Sequence, residues 1–466
     1  MTITNDMIFI DGEFVPAHSA ERIDLINPST EEVFASVVDA DGVDVDAAVQ
    51  SARRGLDEWR MSTLAERADA LLGIADGIEQ RAGEMVDLLM TANGATRQWA
   101  SYVGPGSAFI YRGWAQFVLQ EGYEEIRPGQ GAHSVYQREP LGVVAAIVPW
   151  NSPQVLLGSK IAPALAAGCT VVAKPSPETT LDTYLLAEII RDKGLPPGIV
   201  TAVSGGRGTG AALVAHEGVD YVSFTGSTAA GRMIASVCGE QLKGVSAELG
   251  GKSAIVICAD ADMKVVEDLL WSEVIPYSGQ VCYMCSRVLV HESRYDEVVE
   301  FLRTRLAGAK VGDPFDADTV FGPLVSAAAR AKVEDLIASA TAEGATLVTG
   351  GGRPSGLDKG FFVEPTLFVD VRSDMRIFQE EIFGPVLMVV PFADDDEAVA
   401  LHNDSRYGLS GNVVGADVAH AEAIARRLDT GRVLINGSRG YGRASALYKD
   451  SGLGRVGDMD TLAQFT

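Results

Sequence analysis

The chain has 466 residues, 47% hydrophobic and 22% charged, a composition typical of a globular protein with roughly two to four domains. Its net charge of −25 and its pI near 4.6 argue against nucleic acid or an anionic membrane surface as a partner. Five cysteines in so long a chain, and an acidic N-terminal segment without the basic region of a signal peptide, predict a reduced, cytoplasmic protein.

The first part of the chain begins with a predicted hairpin over Met7–Val15, which turns at Asp11 and Gly12. Short apolar runs then alternate with helical stretches, a pattern typical of a doubly wound α/β domain. The predicted helices are Val43–Gly55, Leu64–Met90, Ala108–Leu119, Pro153–Ala167, Thr180–Lys193, Gly208–His216 and Ala229–Ser236. The runs that predict buried parallel strands are Gly142–Val148, Thr170–Ala173, Val200–Val203, Tyr221–Phe224 and Ala254–Cys258.

A second alternation begins after Cys258 and predicts a second doubly wound α/β domain, with the boundary near Gly250–Lys252. The predicted strands are Arg287–His291, Thr346–Thr349, Leu387–Pro391 and Val433–Ile435. The predicted helices are Tyr295–Ala309, Ala327–Glu343 and Asp395–His402. The uncharged stretch Leu141–Ser159 is broken by prolines, so it predicts a strand, a loop and a helix start rather than a membrane span.

Two residues carry the strongest chemical signal, namely Glu248 in E-L-G-G-K-S and Cys282 in G-Q-V-C. Glycines next to each allow backbone to approach a ligand closely. A thiol that attacks a carbonyl and a carboxylate that activates water are the two groups that an acyl-enzyme mechanism needs. Taken alone, neither residue establishes catalysis, since a lone cysteine is usually buried and a lone glutamate is usually exposed or ion-paired.

A metal or redox interpretation of the thiols is weaker. Cys282 and Cys285 form one C-x-x-C motif, but no second pair accompanies it and its surroundings do not resemble a thioredoxin motif. The six histidines are scattered and contain no H-E-x-x-H motif. The sequence therefore predicts no metal.

Polar residues follow several of the predicted strands, where open α/β sheets bind ligands. Asn151 follows Gly142–Val148 and could donate its amide to an oxyanion, although a turn role is equally consistent. Phe224–Ser227 joins a strand to a helix start, which suits a phosphate group. Lys174 ends another strand and can reach a ribose or a phosphate.

Together these motifs resemble the aldehyde dehydrogenase superfamily over nearly the whole chain. The segments that carry the resemblance are P-W-N at Pro149–Asn151, K-P-S at Lys174–Ser176, F-T-G-S at Phe224–Ser227, E-L-G-G-K at Glu248–Lys252, G-Q-V-C at Gly279–Cys282 and E-I-F-G-P at Glu381–Pro385. The resemblance implies that Cys282 is the nucleophile, Glu248 the general base and Asn151 the oxyanion donor.

The resemblance also implies how the chain is organised around a dinucleotide. The residues that it implies for cofactor binding are Trp150, Lys174, Ser176, Gly226, Ser227, Leu249, Glu381 and Phe383. Residues 1–122 and 138–250 would form the dinucleotide-binding domain and residues 251–443 the catalytic domain. Residues 123–137, as a small β arm, and residues 444–466 would be oligomerisation or bridging segments of a homodimer or homotetramer.

Two departures from the family pattern affect specificity. Pro177 stands where relatives often have a glutamate, and proline cannot offer a carboxylate to the adenosine ribose. We therefore expect NAD or NADP as cofactor, with NAD favoured but not strictly required. Residues 444–452 read A-S-A-L-Y-K-D-S-G where relatives usually read P-F-G-G-x-K-x-S-G, which changes a segment near the substrate entrance.

The residues expected to line the substrate pocket are apolar or aromatic, namely Tyr111, Trp114, Val281, Tyr283 and Tyr441. We therefore expect a hydrophobic or aromatic aldehyde that is oxidised to its carboxylic acid through a thiohemiacetal and a thioester of Cys282. The alternatives are a CoA-acylating or semialdehyde-specific aldehyde dehydrogenase, a non-catalytic protein with the same fold, and a disulfide oxidoreductase that uses Cys282 and Cys285.

Overall fold

The computed structural model of the protein describes residues 3–120, 124–437, 445–456 and 459–466. In these ranges the α-helices, in chain order, are α1 Gly42–Trp59, α2 Leu64–Gln80, α3 Ala82–Asn93, α4 Arg97–Gln120, α5 Pro153–Ala167, α6 Thr180–Asp192, α7 Arg207–Ala215, α8 Thr228–Glu240, α9 Met263–Leu269, α10 Tyr295–Ala307, α11 Ala327–Ala342, α12 Arg376–Gln379, α13 Asp395–Asn403, α14 Val418–Ala425 and α15 Met459–Leu462.

The strands of the same ranges vary from two to seven residues. They are β1 Ile3–Asn5, β2 Met7–Ile10, β3 Glu13–Pro16, β4 Arg22–Ile26, β5 Val33–Val38, β6 Glu124–Pro128, β7 His133–Gln137, β8 Val143–Ile147, β9 Thr170–Lys174, β10 Val200–Ala202, β11 Tyr221–Thr225, β12 Gly244–Glu248, β13 Ala254–Ile257, β14 Arg287–His291, β15 Thr346–Thr349, β16 Thr366–Val369, β17 Val386–Phe392, β18 Tyr407–Gly408, β19 Ser410–Val414, β20 Arg432–Ile435, β21 Ser445–Ala446, β22 Tyr448–Lys449, β23 Gly452–Leu453 and β24 Arg455–Val456.

The first large sheet has the strand order β23-β12-β11-β8-β9-β10-β2-β3. Strands β12, β11, β8, β9 and β10 run parallel, and an antiparallel strand flanks them on each side. The central strand β8 is buried at every residue, as expected for a parallel strand with helices on both faces. The β2–β3 hairpin turns at Asp11 and Gly12, whose φ angles of 52° and 80° suit a two-residue hairpin turn.

The second large sheet has the order β15-β16-β17-β14-β13-β19-β20. Every pairing from β16 to β20 is parallel, and only the pairing of β15 with β16 is antiparallel among the described strands of this sheet. The chain passes from β12 in the first sheet straight to β13 in the second. The carboxyl end of β12 therefore leads to the amino end of β13. As a result, the carboxyl ends of the first sheet's parallel strands face the amino ends of the second sheet's parallel strands.

The predicted α/β class with two doubly wound sheets is confirmed, while several strands were missed, among them β12, β16 and β19 of the two large sheets. Strand β12 carries one valine in five residues, β19 is interrupted by Gly411 and Asn412, and β16 is flanked by loops. The stretch predicted as one helix over Leu64–Met90 is two helices, because Arg81 leaves helical geometry with ψ at 16° and pairs with Glu84 and Glu188. The division of the chain at residue 250 into named domains stays a prediction.

Helix α4 is longer than predicted, since it begins at Arg97 rather than at Ala108 and carries Pro105 inside it. Residues 124–128 and 133–137 form the antiparallel pair β6–β7, with Ile126, Val135 and Tyr136 exposed. Among the described helices, none is long and apolar enough to cross a membrane.

Candidate active site

A cavity of about 510 Å³ lies where the carboxyl ends of the first sheet face the amino ends of the second sheet. Three segments that the sequence singled out as catalytic meet at this cavity. Its lining includes Asn151 after β8, Glu248 at the end of β12, and Cys282 before β14. The structure thus brings these three residues together from positions far apart in the sequence.

The loop that carries Cys282 has an unusual backbone. Tyr277 and Ser278 both have positive φ, at 47° and 51°, and Gly279 follows at 75°. A Cβ on Gly279 would lie 2.0 Å from the Gly384 carbonyl oxygen, so only glycine fits this close approach. Strained conformations of this kind persist only where the surroundings hold them, and they cluster at functional sites.

Gln280 anchors the same loop through its side-chain amide and through its backbone carbonyl. Its side-chain oxygen accepts a hydrogen bond from the Val325 N–H at 2.9 Å, and its Nε2 donates to the Pro323 carbonyl at 3.4 Å. Its backbone carbonyl accepts the amide of Asn151 at 3.0 Å. The Asn151 amide is therefore held beside the residue that precedes Val281 and Cys282.

Asn151 is also fixed from behind, through its neighbour Trp150. The buried Asn93 donates its amide to the Trp150 carbonyl, and the Tyr277 hydroxyl donates to the Asn93 carbonyl at 3.2 Å. The Trp150 ring meets the Phe383 ring edge-on at 5.6 Å. These contacts join α3, the loop after β8 and the nucleophile loop into one rigid support.

Two glycines of the E-L-G-G-K segment allow the second sheet to close on this support. A Cβ on Gly251 would lie 2.2 Å from the Cys282 carbonyl oxygen, and one on Gly250 would lie 2.6 Å from a carboxylate oxygen of Glu381. The Gly251 N–H donates to the other carboxylate oxygen of Glu381 at 3.0 Å. The glycines therefore set how closely Cys282 and Glu381 approach the end of β12.

The electrostatics of the cavity keep the resting thiol protonated. Burial, together with the nearby carboxylates of Glu248 and Glu381, raises the pKa of Cys282 to about 12, against the smaller lowering effect of the Arg432 guanidinium. Glu248 is half-buried and accepts a hydrogen bond from the Thr225 hydroxyl at 3.3 Å. Burial also raises the pKa of Glu381.

A buried lysine that sequence reasoning missed lies under the first sheet. Burial lowers the pKa of Lys160 to about 8, while the Glu248 carboxylate acts in the opposite direction. Its Nζ contacts the Ser223 hydroxyl at 3.3 Å, and the Ser246 hydroxyl contacts the same oxygen at 3.3 Å. The only sequence signal for this inward position is the place of Lys160 within the helix that begins at Pro153, soon after Asn151.

The residues predicted to bind a cofactor fall into two groups. Those that line the cavity are Trp150, Gly226, Ser227, Leu249, Glu381 and Phe383. Lys174 and Ser176 lie outside its lining, at the end of β9, where the Lys174 ammonium donates to the Pro175 carbonyl at 2.8 Å. Burial lowers the pKa of Lys174 to about 8, against the effect of Glu178 and Asp39.

These donors fit a dinucleotide. Helix α8 opens with the exposed Ser227, whose hydroxyl accepts the Ala230 N–H, so the first helical N–H groups face the end of β11 where a pyrophosphate would bind. Glu381 offers carboxylate oxygens to ribose hydroxyls. Lys174, at the end of the neighbouring strand β9, offers a positive charge in a chain that is otherwise strongly acidic.

The residues predicted to line the substrate pocket lie in different parts of the structure. Val281 and Tyr283 line the cavity, whereas Tyr111 and Trp114 are buried in the core of the first unit, where Tyr111 packs against Gly158 of α5. Tyr441 lies outside the described residues. The face of α4 that does reach the cavity is about two to four turns earlier. The lining residues missed by sequence reasoning include Trp99, Tyr102, Val103, Val155, Leu156 and Lys332.

Comparison with known proteins supplies the family context. The model described as "Aldehyde dehydrogenase family" matches residues 14–466. Geranial dehydrogenase from Castellaniella defragrans is 44% identical over 443 residues, which cover 94% of this chain and 92% of that protein. The 3-succinoylsemialdehyde-pyridine dehydrogenase of a Pseudomonas species is 39% identical over 96% of this chain and 94% of that protein.

Solved structures agree with the sequence matches. An NAD+ complex of aldehyde dehydrogenase from Bacillus cereus superposes with a TM-score of 0.96 at 37% identity, and covers 99% of this chain and 95% of that one. A mutant of aldehyde dehydrogenase C from Pseudomonas syringae, in complex with NAD+ and octanal, superposes with a TM-score of 0.95 at 36% identity, with the same coverage of 99% and 95%.

Proposed function

The chain belongs to the aldehyde dehydrogenase family and is an NAD(P)-dependent oxidoreductase that acts on aldehydes, and we propose that its substrate is a hydrophobic or aromatic aldehyde. The observation that carries this proposal is the apolar wall of the cavity around Cys282. That wall is formed by Trp99, Tyr102, Val103, Val155, Leu156, Val281 and Tyr283.

Charge supports the same substrate class. Among the described residues no arginine lines the cavity, and its one lysine, Lys332, is on the side of Glu381. The nearby Arg432 lies against the ring of Tyr283, 5.4 Å from its centroid, and is paired with Glu273 at 3.6 Å. A second carboxylate on the substrate would lose its hydration without gaining a partner, which costs several kcal/mol in an apolar site. The similarity to a geranial dehydrogenase and to an enzyme crystallised with octanal is consistent with an apolar acyl chain.

In the proposed first half-reaction, the Cys282 sulfur forms a bond to the aldehyde carbon as the thiol gives up its proton to a base. The carbonyl oxygen becomes an oxyanion, which accepts hydrogen bonds from the Asn151 amide and from the Cys282 backbone N–H. When the cofactor is bound, its nicotinamide ring supplies the acceptor for the hydride that leaves the former aldehyde carbon. The carbon–oxygen double bond re-forms and leaves a thioester on Cys282.

In the second half-reaction, water adds to the thioester carbon while the Glu248 carboxylate takes a proton from that water. The same two donors hold the new oxyanion. The carbon–sulfur bond then breaks, the carboxylic acid leaves, and the thiol of Cys282 is restored. Glu248 suits this role because it lines the same cavity and is oriented by the Thr225 hydroxyl.

For the cofactor we propose Ser227 and the start of α8 at the pyrophosphate, and Lys174 with Ser176 at the adenosine ribose. Glu381 would accept hydrogen bonds from the nicotinamide ribose, while Phe383 and Trp150 would pack beside the ring. Pro177, in the 3₁₀ turn Pro177–Thr179, offers no carboxylate where relatives often have a glutamate, while the next residue, Glu178, accepts a hydrogen bond from the Ser176 hydroxyl and could repel a 2′-phosphate. We therefore propose that NAD is preferred and that NADP is tolerated.

One aldehyde panel tests the proposal. Initial rates of cofactor reduction are measured for octanal, benzaldehyde and succinic semialdehyde, each with NAD and with NADP. We expect kcat/KM for octanal or benzaldehyde to exceed that for succinic semialdehyde by about 100-fold, since an unpaired carboxylate costs several kcal/mol to bury. Equal values for benzaldehyde and succinic semialdehyde would refute the hydrophobic assignment.

The fate of the acyl group is tested in the same assay. Chromatography of the products with and without free CoA distinguishes carboxylic acid from acyl-CoA. We expect the acid in both cases, because Glu248 lies in the cavity to activate water. Acyl-CoA as the main product would replace the hydrolytic proposal with the acylating one.

The quaternary and cellular assignments are proposals as well. We propose a homodimer or homotetramer joined through β6–β7, whose Ile126, Val135 and Tyr136 are exposed in the single chain, and through the segment that follows residue 444. Light scattering with and without the substitution Ile126→Asp would detect this interface. The five free cysteines suit a reducing compartment, so we propose that the protein is cytoplasmic.

A further inference from the structure

The edge of the second sheet opposite the catalytic cavity also has the form of a binding crevice. Neighbouring strands β13 and β19 end at Ile257 and Val414. From β13 the chain proceeds to β14 on one side, whereas from β19 it proceeds to β20 on the other. This divergence makes the gap between β13 and β19 the topological switch point of the sheet, where open α/β folds bind ligands.

Three potential metal ligands meet in that gap. Cys258 directly follows β13, Asp260 comes two residues later, and His420 lies in the first turn of α14, which follows β19. The thiol sulfur, a carboxylate oxygen and a ring nitrogen of these residues all lie within 4.8 Å of one another. Tetrahedral zinc, with bonds of about 2.0–2.3 Å, brings its ligands to roughly 3.5 Å apart, so small rotations of the exposed Asp260 and the half-buried His420 complete the geometry.

The side chains are already oriented by neighbours. His420 Nε2 bonds to the Asp395 carboxylate at 2.8 Å. In the neutral tautomer that donates this hydrogen bond, Nδ1 carries the lone pair that would bind a metal. A carboxylate behind the histidine is the usual companion of a metal-binding imidazole. One oxygen of Asp260 accepts the Asp417 N–H at 2.7 Å, and its other oxygen lies 3.3 Å from the point where a Cβ on Gly415 would stand.

The position that a Cβ on Gly415 would occupy also lies 3.4 Å from the Cys258 sulfur. A glycine here leaves the space between the thiol and the Asp260 carboxylate open, where a larger side chain would crowd both ligands. Cys258 itself is 2% exposed and forms the floor of the gap. The adjoining surface cavity of about 550 Å³ provides an entry path past His291 and His420.

Charge in the gap favours a cation. Arg427, which lines the adjoining cavity, is paired with Asp396 at 2.6 Å, and Arg294 is paired with Glu297 at 2.6 Å. In the described part of the chain, neither Asp260 nor Asp395 forms an ion pair with a lysine or an arginine. Asp395 is bonded to His420, and the Arg294 guanidinium donates to the Ala259 and Ala261 carbonyls beside Asp260 without forming an ion pair with that carboxylate. The negative charge of Asp260 and Asp395 next to the thiol still favours a bound cation.

We propose that Cys258, Asp260 and His420 bind a Zn²⁺ ion, with water as the fourth ligand. One sulfur, one nitrogen and one oxygen donor suit zinc better than magnesium or calcium, which require oxygen ligands. Binding releases the thiol proton of Cys258 to solvent. The ion would connect β13 to α14. It would lie about 15 Å from the catalytic cavity, because β13 and β19, at 3.3 Å per residue, separate the two ends of the sheet.

The test uses the untagged full-length protein carrying Cys282→Ser, which removes the competing active-site thiolate. Co²⁺ is titrated as a spectroscopic probe, because only a cysteine ligand gives the sulfur-to-cobalt charge-transfer absorption. We expect one Co²⁺ per chain with that absorption, displaced by Zn²⁺. Adding Cys258→Ser should abolish the absorption, whereas the matched control Cys238→Ser, at a buried thiol of the first sheet's core, should retain it.

Surface variants keep the test decisive if Cys258→Ser fails to fold. His420→Gln should weaken Zn²⁺ binding at least tenfold, and Asp395→Asn, which acts through the histidine, should weaken it about 10–100-fold. Zn²⁺ should raise the Tm of the Cys282→Ser protein and leave that of the His420→Gln double variant unchanged. The proposal fails if Co²⁺ and Zn²⁺ do not bind stoichiometrically, or if binding is indifferent to Cys258 and His420.

Discussion

The substitution Gly251→Ala probes how tightly the two sheets are fitted around the nucleophile. The new methyl carbon would lie 2.2 Å from the Cys282 carbonyl oxygen, whereas real contacts of this kind are not shorter than 3.0 Å. The backbone of one partner must therefore move by about 1 Å, and a displacement of that size at a catalytic group costs about 100-fold in rate. Because Gly251 also donates to Glu381, we expect a higher KM for the cofactor as well.

Stability should change less than activity, since overpacking of this kind costs about 1–3 kcal/mol in the free energy of unfolding. Steady-state kinetics with saturating aldehyde would measure kcat, and urea denaturation would measure stability. The matched control is Gly239→Ala on α8, where a Cβ meets nothing within 4 Å and activity should be unchanged. A Gly251→Ala enzyme with kcat within threefold of the parent would show that the fit around Cys282 is not tight, and would refute this reasoning.

Three further substitutions test the individual roles. Asn151→Ala should lower kcat about 10²–10³-fold at nearly constant Tm, because one oxyanion donor is lost; an unchanged kcat would remove Asn151 from the mechanism. Glu248→Gln should keep a single-turnover burst of reduced cofactor in stopped-flow while steady turnover falls about 10²–10⁴-fold, and loss of the burst would contradict a role in hydrolysis alone. The same change removes a carboxylate that raises the pKa of Cys282, so the thiolate fraction and the rate of iodoacetamide alkylation at neutral pH should both rise, not fall. Pro177→Glu should increase the ratio of kcat/KM for NAD over NADP at least tenfold by like-charge repulsion of the 2′-phosphate, and a constant ratio would place that phosphate elsewhere.

Much of the fold could be predicted because its central strands are buried on both faces. Val143–Ile147 and the centre of Thr170–Lys174 are short, valine-rich apolar runs that lead into motifs, and such runs are typical of parallel strands covered on both faces. Gly244–Glu248 was missed because its burial comes from neighbours rather than from its own composition. Its pairing with β11 places Glu248 beside Thr225, a fact that no local pattern contains.

The substrate wall shows where local patterns fail. Helix α4 was predicted to begin at Ala108, just after the G-P-G sequence at Gly104–Gly106. The helix continues through Pro105, and this extension brings Trp99 and Tyr102 to the cavity. Tyr111 and Trp114 lie further along the same helix, where α4 packs in the core of the first unit, and so they are buried. Which turns of the helix face the cavity depends on packing, and no local pattern contains that information.

The catalytic pair itself involves a compromise that its sequence spacing does not reveal. A carboxylate close enough to direct water at a thioester is also close enough to raise the pKa of the thiol that must form the thioester. Burial adds to that cost, yet burial also excludes the water that would otherwise compete before the hydride leaves. In the proposed mechanism, Glu248 therefore opposes the first half-reaction and enables the second. Because Cys282 rests as an unreactive thiol, positioning and oxyanion stabilisation must compensate for it in the proposed mechanism. This requirement explains why Gln280 and Asn93 hold the loops around Cys282 and Asn151 in place.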